Sequence, residues 1–225
     1  MKTKNRSLKC ESLENRELMA GNVTVNVEWN EVIVRGDSKA NQIEVFQLDN
    51  GAYRISGLNG TTVNGKSFVD RTSSDRDLRI FMGAGDDKVI LGNNFSRAAM
   101  IVEDLEIDMG TGLDGLAVAN VKHTDNQPML LRMGGAENER DIVSVQKVTS
   151  TNGIKIETGG GNDGVEVIKT SVKGKLDVNL GAGNDDLWLV DAFFASNNIN
   201  GGSGSDGYKR TGGNSVTKIS FERNL

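Results

Sequence analysis

From about residue 76 onward the apolar residues fall on alternate positions, and a short glycine-rich segment interrupts them at a period of about 24 residues. Before the first glycine of successive segments stand Leu78/Ile80/Met82, Leu105/Ile107/Met109, Met129/Leu131/Met133, Ile154/Ile156/Thr158 and Leu176/Val178/Leu180. After the segments come Val89/Leu91, Leu116/Val118, Val143/Val145, Val165/Val167 and Leu187/Leu189. The residues between are mostly charged or polar. Alternation of period two marks a strand with one face buried. The punctuating segments read Gly83-Ala84-Gly85-Asp86-Asp87, Gly110-Thr111-Gly112-Leu113-Asp114, Gly159-Gly160-Gly161-Asn162-Asp163, Gly181-Ala182-Gly183-Asn184-Asp185 and Gly202-Ser203-Gly204-Ser205-Asp206. A degenerate copy, Gly134 to Asp141, carries two extra residues. Each unit is therefore strand, tight turn, strand and a variable return.

A unit of this kind cannot bury its apolar face alone, so the copies must stack. Stacking like on like places Leu, Ile and Met at one depth in successive coils, which favours a right-handed parallel β-helix or β-solenoid over a meander of antiparallel hairpins. The fold class expected is all-β, with about 24 residues per coil. In-register stacking also predicts an outward ladder of Asp108, Arg132 and Glu157, alternating in sign.

Upstream, Val23/Val25/Val27/Trp29, Val32-Ile33-Val34 and Ile43-Glu44-Val45-Phe46 read as strands, and Asp49-Asn50-Gly51 as a hairpin turn. Gly36-Asp37 resembles a worn copy of the repeat. Residues 22–75 are expected to form an N-terminal β cap and first coils, 76–213 the solenoid repeats, and 214–225 a C-terminal cap over otherwise open strand edges. Residues 1–21 stand apart: Ser7 is placed to cap a short helix bearing Leu8, Leu13 and Leu18.

Composition narrows the function. The chain has 28 glycines and one proline in 225 residues, one cysteine and one histidine, and a net charge of −5. Cys10 alone excludes a disulfide scaffold, and His123 alone excludes a zinc site of several His and Cys ligands. The acidic balance argues against nucleic acid as a partner, and no apolar run is long enough to span a bilayer.

Two resemblances add to this. Residues 6–21, through Leu13, Glu14, Arg16, Leu18, Met19 and Ala20, are similar to the LE-x-R-x-LL element at the N-terminus of many planctomycetal exported and surface proteins. That resemblance implies an extracellular or cell-surface destination. Residues 201–209, Gly-Gly-Ser-Gly-Ser-Asp-Gly-Tyr-Lys, resemble the RTX-type (repeats-in-toxin) calcium repeat, and 82–90 and 180–188 do so except at the first glycine. The resemblance implies calcium between stacked turns, with Asp87, Asp114, Asp163, Asp185 and Asp206 as ligands, each giving the hard charged oxygen that calcium takes. The match departs from the family in having one turn per coil, so only one edge would hold ions. The competing reading gives the same Gly, Asn and Asp residues a purely conformational role.

Two further residues carry expectations. Trp188, between inward Leu187 and Leu189, should point outward and be covered by Phe193-Phe194. His123, in Lys122 to Pro128, reads as a solvated loop histidine. The function expected is an exported or surface structural or adhesive solenoid, not an enzyme, with surface polysaccharide or other envelope proteins as partners. The alternative is a polysaccharide-acting β-helix lyase or hydrolase.

Overall fold

The computed structural model describes residues 21–92, 97–136, 139–216 and 218–225. The protein is all-β, with no helix among the described residues, and stacked parallel strands make a solenoid of about 6 turns with about 23 residues per turn. The N-terminal strands are β1 (Asn22–Glu28), β2 (Glu31–Arg35), β3 (Gln42–Gln47), β4 (Tyr53–Gly57), β5 (Thr62–Val63) and β6 (Phe68–Arg71). The coils begin with β7 (Asp77–Phe81), β8 (Lys88–Leu91) and β9 (Met100–Val102), then β10 (Leu105–Asp108), β11 (Gly115–Ala119) and β12 (Val121–His123). They continue with β13 (Met129–Arg132), β14 (Ile142–Gln146), β15 (Thr149–Ser150), β16 (Ile154–Glu157), β17 (Gly164–Ile168) and β18 (Ser171–Asn179). The last are β19 (Asp186–Val190), β20 (Phe193–Asn200), β21 (Gly207–Thr211), β22 (Lys218–Ile219) and β23 (Arg223–Asn224).

Three faces result. The first, ahead of the glycine corner, runs β2, β7, β10, β13, β16 and then the later parts of β18 and β20. The second, after the corner, runs β3, β8, β11, β14, β17, β19, β21. The third is narrower: β9, β12, β15 and the opening residues of β18 and β20. Register follows the alternation, so Leu78, Leu105, Met129, Ile154 and Leu176 are all buried. Each such side chain contributes roughly 1.5–3 kcal/mol by leaving water.

The predicted ladder has the right register, with Asp108 opposite Arg132 and Arg132 opposite Glu157. The ion pairs differ in detail. Arg132 meets Glu106 at 2.7 Å and Glu157 at 3.4 Å, and Arg79 joins Glu31, Asp104 and Glu106. The long Arg side chain spans the diagonal to Glu106, a reach that a directly-opposite pairing rule ignores.

A second corner, between the second and third faces, turns on non-glycine residues. Asn120, Lys147, Lys169 and Asp191 occupy equivalent places with φ between 48° and 54°. Left-handed backbone at Lys or Asp costs about 1–2 kcal/mol per residue, which the inter-coil bonds from Lys147 N–H to Ile168 and from Lys169 N–H to Val190 offset.

At the N-terminal end β2 and β3 form the sides of a first coil, while β1, β4 and β6 fold back antiparallel outside them. The Gly51 turn closes β3 on β4 at φ +86°. The side chain of Gln47 both accepts from Ile101 N–H (3.0 Å) and donates to its carbonyl, and Tyr53 Oη donates to the same carbonyl at 2.9 Å. These groups stand where a further strand would bond to β9. At the other end β22 and β23 add to β20 and β21, and Phe221 packs edge-on against Tyr208 with ring centroids 5.6 Å apart. Trp188 does point outward, half-buried, and its ring lies over Gly164. Phe194 is instead turned into the core and Phe193 lies exposed on the third face, because alternation along β20 separates the two rings.

Candidate functional site

The glycine corner is built by close approach. Gly181 and Gly183 have φ of 96° and 139°, and a Cβ on either would run into the carbonyl of Gly159 or Gly161 in the preceding coil. The corner is itself bonded into the ladder: Ala182 N–H donates to Gly159 O at 2.9 Å, and Gly161 N–H to Ala182 O at 2.8 Å. Small residues thus let the turns of adjacent coils stack as closely as the strands do.

Immediately after the glycines the chain turns an aspartate inward. Asp87, Asp114, Asp141, Asp163, Asp185 and Asp206 form one column, each no more than 3% exposed. Each Oδ1 accepts the backbone N–H of its counterpart one coil earlier. Asp87 N–H reaches Asp114 at 2.8 Å, Asp114 N–H reaches Asp141 at 2.8 Å and Asp141 N–H reaches Asp163 at 2.9 Å. Asp163 N–H reaches Asp185 at 2.7 Å, and Asp185 N–H reaches Asp206 at 3.0 Å. The carboxylate replaces the carbonyl that a continuous strand would have supplied at that point. Asn41 N–H begins the column on Asp87 and Glu222 Oε2 ends it on Asp206 N–H. A parallel, exposed row repeats the device: Asn184 N–H donates to Asn162 Oδ1 and Ser205 N–H to Asn184 Oδ1.

The other oxygen is what gives the column chemistry. Oδ2 of all six aspartates is buried and has no hydrogen-bond partner among the described residues. Burial, reinforced by the neighbouring carboxylates, pushes Asp87, Asp114 and Asp141 up to about 7, against the opposing N–H bond at Oδ1. Asp185 is pushed up to about 7 in the same way, and burial also raises Asp163 and Asp206. With coils about 4.8 Å apart, adjacent full charges would repel by roughly 3 kcal/mol at an effective dielectric of 20. Burial and mutual repulsion thus both disfavour the fully ionised column.

All five aspartates expected from the turn motif lie in this column. Asp141 joins them, and the turn motif does not reveal it because two extra residues separate it from its glycines. Counted back from the following strand, it precedes Val143 by two residues as Asp87 precedes Val89. The worn first copy also differs from expectation. Asn41, fully buried, takes the column position, while Asp37 accepts from Asn22 N–H at 2.8 Å and from Lys39 N–H at 3.0 Å.

The donor set suits calcium in kind, since each coil offers one unshared, hard, charged oxygen. Among the described residues no three acidic, histidine or cysteine side chains converge on one point. The residues that would hold an ion here are Asp87, Asp114, Asp141, Asp163, Asp185 and Asp206, and it would supply the positive charge that the column lacks.

His123 departs from the sequence reading. It is the last residue of β12, fully buried, with Nδ1 at 2.9 Å from Ser150 Oγ, and Ser150 donates onward to Gly153 O. The register Val102–His123–Ser150–Val172 carries it inward, and burial lowers its pKa. A strand of three residues is too short for its alternation to stand out in a polar segment. Residues 1–20, which carry most of the export-like element, lie outside the described residues. Among those described, no helix is long and apolar enough to cross a membrane. No protein-family model matches the chain, and neither the curated proteins nor the solved structures yield a match.

Proposed function

We propose that this chain is an exported, surface-type structural or adhesive β-solenoid whose glycine corner holds calcium along the aspartate column. The observation that carries the reading is the set of six buried Oδ2 atoms without partners among the described residues. Asp87, Asp114, Asp141, Asp163, Asp185 and Asp206 would hold the ions, which would neutralise the column and tie each coil to the next. A structural rather than catalytic role is supported by the unbroken recurrence of the column. Its carboxylates bond to backbone N–H groups inside the turns and do not face each other across a cleft. Export rests on the resemblance of residues 6–21 to the planctomycetal element, and the calcium chemistry on the RTX-like turns.

The test is thermal melting of the metal-free protein titrated with calcium, with magnesium as control. Calcium is expected to raise the melting temperature by several degrees at concentrations where magnesium does not, because it tolerates irregular shells of 6–8 oxygens. Equal melting in calcium and chelator removes the proposal.

A further inference from the structure

The third face brings together cations that lie far apart in the chain. Lys122 of β12, Thr149 of β15, Ser171 of β18 and Phe193 of β20 are register partners in four successive coils, all exposed and pointing outward. Lys173 follows Ser171 by two residues in β18, and Lys169 stands at the second corner, at the edge of this face; both are exposed. Between Lys122 and Lys173 runs a shallow depression of about 240 Å³ over Thr149 and Ser171. Among the described residues Lys122, Lys169 and Lys173 make no ion pair. On the first face, by contrast, Arg79, Arg132, Lys155 and Lys175 are all matched to carboxylates. Of the carboxylates near this face, Asp191 takes the corner place of Lys169 one coil later, Asp125 follows β12 by two residues and Glu103 follows β9.

We propose that the third face binds a linear anionic polysaccharide, a chain of sugars bearing carboxylate or sulfate groups. The charge is of the complementary sign and is spread out, with Lys122 two coils, about 10 Å, from the coil that carries Lys169 and Lys173, which suits a polymer with repeated charges better than a single small anion. Thr149 and Ser171 supply hydroxyls that both donate and accept, matching sugar hydroxyls. Phe193, 54% exposed at the end of the row, offers a flat apolar surface to a ring. A broad anionic membrane is a poorer fit: the protein carries −5 overall, and a flat surface would bring its acidic faces within a Debye length of about 8–10 Å. A single polymer touches the strip alone. Single-stranded nucleic acid calls for successive aromatic platforms, and this row has one.

The experiment measures binding to dextran sulfate and to polygalacturonate, with neutral dextran as blank, at low ionic strength in chelator. Wild-type protein is expected to bind both acidic polymers and not dextran. The triple variant Lys122→Gln, Lys169→Gln, Lys173→Gln is expected to lose about tenfold or more in affinity, three exposed charge contacts being removed. A control triple, Lys66→Gln, Lys88→Gln, Lys209→Gln, removes the same charge from exposed sites elsewhere and is expected to keep most of it. Circular dichroism and melting check that both variants fold. Equal losses in the two triples overturn the proposal, as does tighter binding to phosphatidylserine–phosphatidylcholine vesicles or to single-stranded DNA. Binding that appears only when calcium is added also overturns it, since calcium would then bridge polymer to the acidic corner. Because the assay runs in chelator, its outcome is independent of whether the aspartate column takes calcium.

Discussion

Replacing Asp185 by Asn tests what neutralises the column. Asp185 is fully buried, accepts the Asp163 N–H at Oδ1 (2.7 Å) and leaves Oδ2 without a partner among the described residues. Burial, with Asp163, Asp206 and Asp186 nearby, raises its pKa to about 7 against 3.8 in the unfolded chain. The folded state therefore keeps a proton that the unfolded state releases. Stability from this group is fully present below pH 3.8, declines as pH rises towards 7, and is flat above. At about 1.36 kcal/mol per unit, holding the charge at pH 8 costs at most about 4 kcal/mol in the metal-free protein. Asn keeps the Oδ1 acceptor and removes the charge, but buries an NH2 donor whose lack of a partner costs about 1–3 kcal/mol. In chelator, Asp185→Asn is thus expected to stabilise by about 1–3 kcal/mol at pH 8 and to destabilise by a similar amount at pH 4. In calcium at pH 8 the variant loses a ligand and is expected to be the less stable protein. Urea melts followed by far-ultraviolet circular dichroism at the two pH values, with and without calcium, read all three signs. A wild-type midpoint in chelator that does not fall between pH 4 and pH 8, or a variant effect of the same sign and size at both, refutes the electrostatic reasoning.

Gly183→Ala places a Cβ against the Gly161 carbonyl at φ +139° and is expected to destabilise by roughly 2–4 kcal/mol, read as a lowered urea midpoint. Lys147→Gly relieves a left-handed residue at φ 51° in the second corner and is expected to stabilise by about 0.5–1 kcal/mol in the same assay. Burial lowers the pKa of His123, so its imidazole is expected to titrate below the ordinary histidine value of 6.5 when followed by nitrogen NMR. Because its folded pKa is depressed, its contribution to stability declines as pH falls through the unfolded value of 6.5, opposite in sign to the column.

The legible part of this fold is what repeats within one coil. Leu105/Ile107/Met109 and Leu116/Val118 announce two strands with a turn between, and the spacing of Gly110 from Gly83 announces another coil stacked on the first. The aspartates of the regular turns were legible for the same reason. The second corner was not, since Asn120, Lys147, Lys169 and Asp191 share a backbone conformation but no side-chain chemistry. Nor was the inward turn of His123, whose strand is only three residues long.

Alternation along a single strand depends on local geometry: side chains of a strand point to opposite faces, so the order of apolar and polar residues already sorts inside from outside. That much, with the glycine period and the all-β stacked fold, belongs to the sequence by itself. Which residues of different coils share a column depends on register across some twenty intervening residues, and insertions in the returns shift the count without shifting the strands. Packing of the Leu, Ile and Met rows sets that register. Only the tertiary structure therefore placed Asp141 among the aspartates, left six Oδ2 atoms without partners among the described residues, and brought Lys122 and Lys173 together on the third face with Lys169 at its edge.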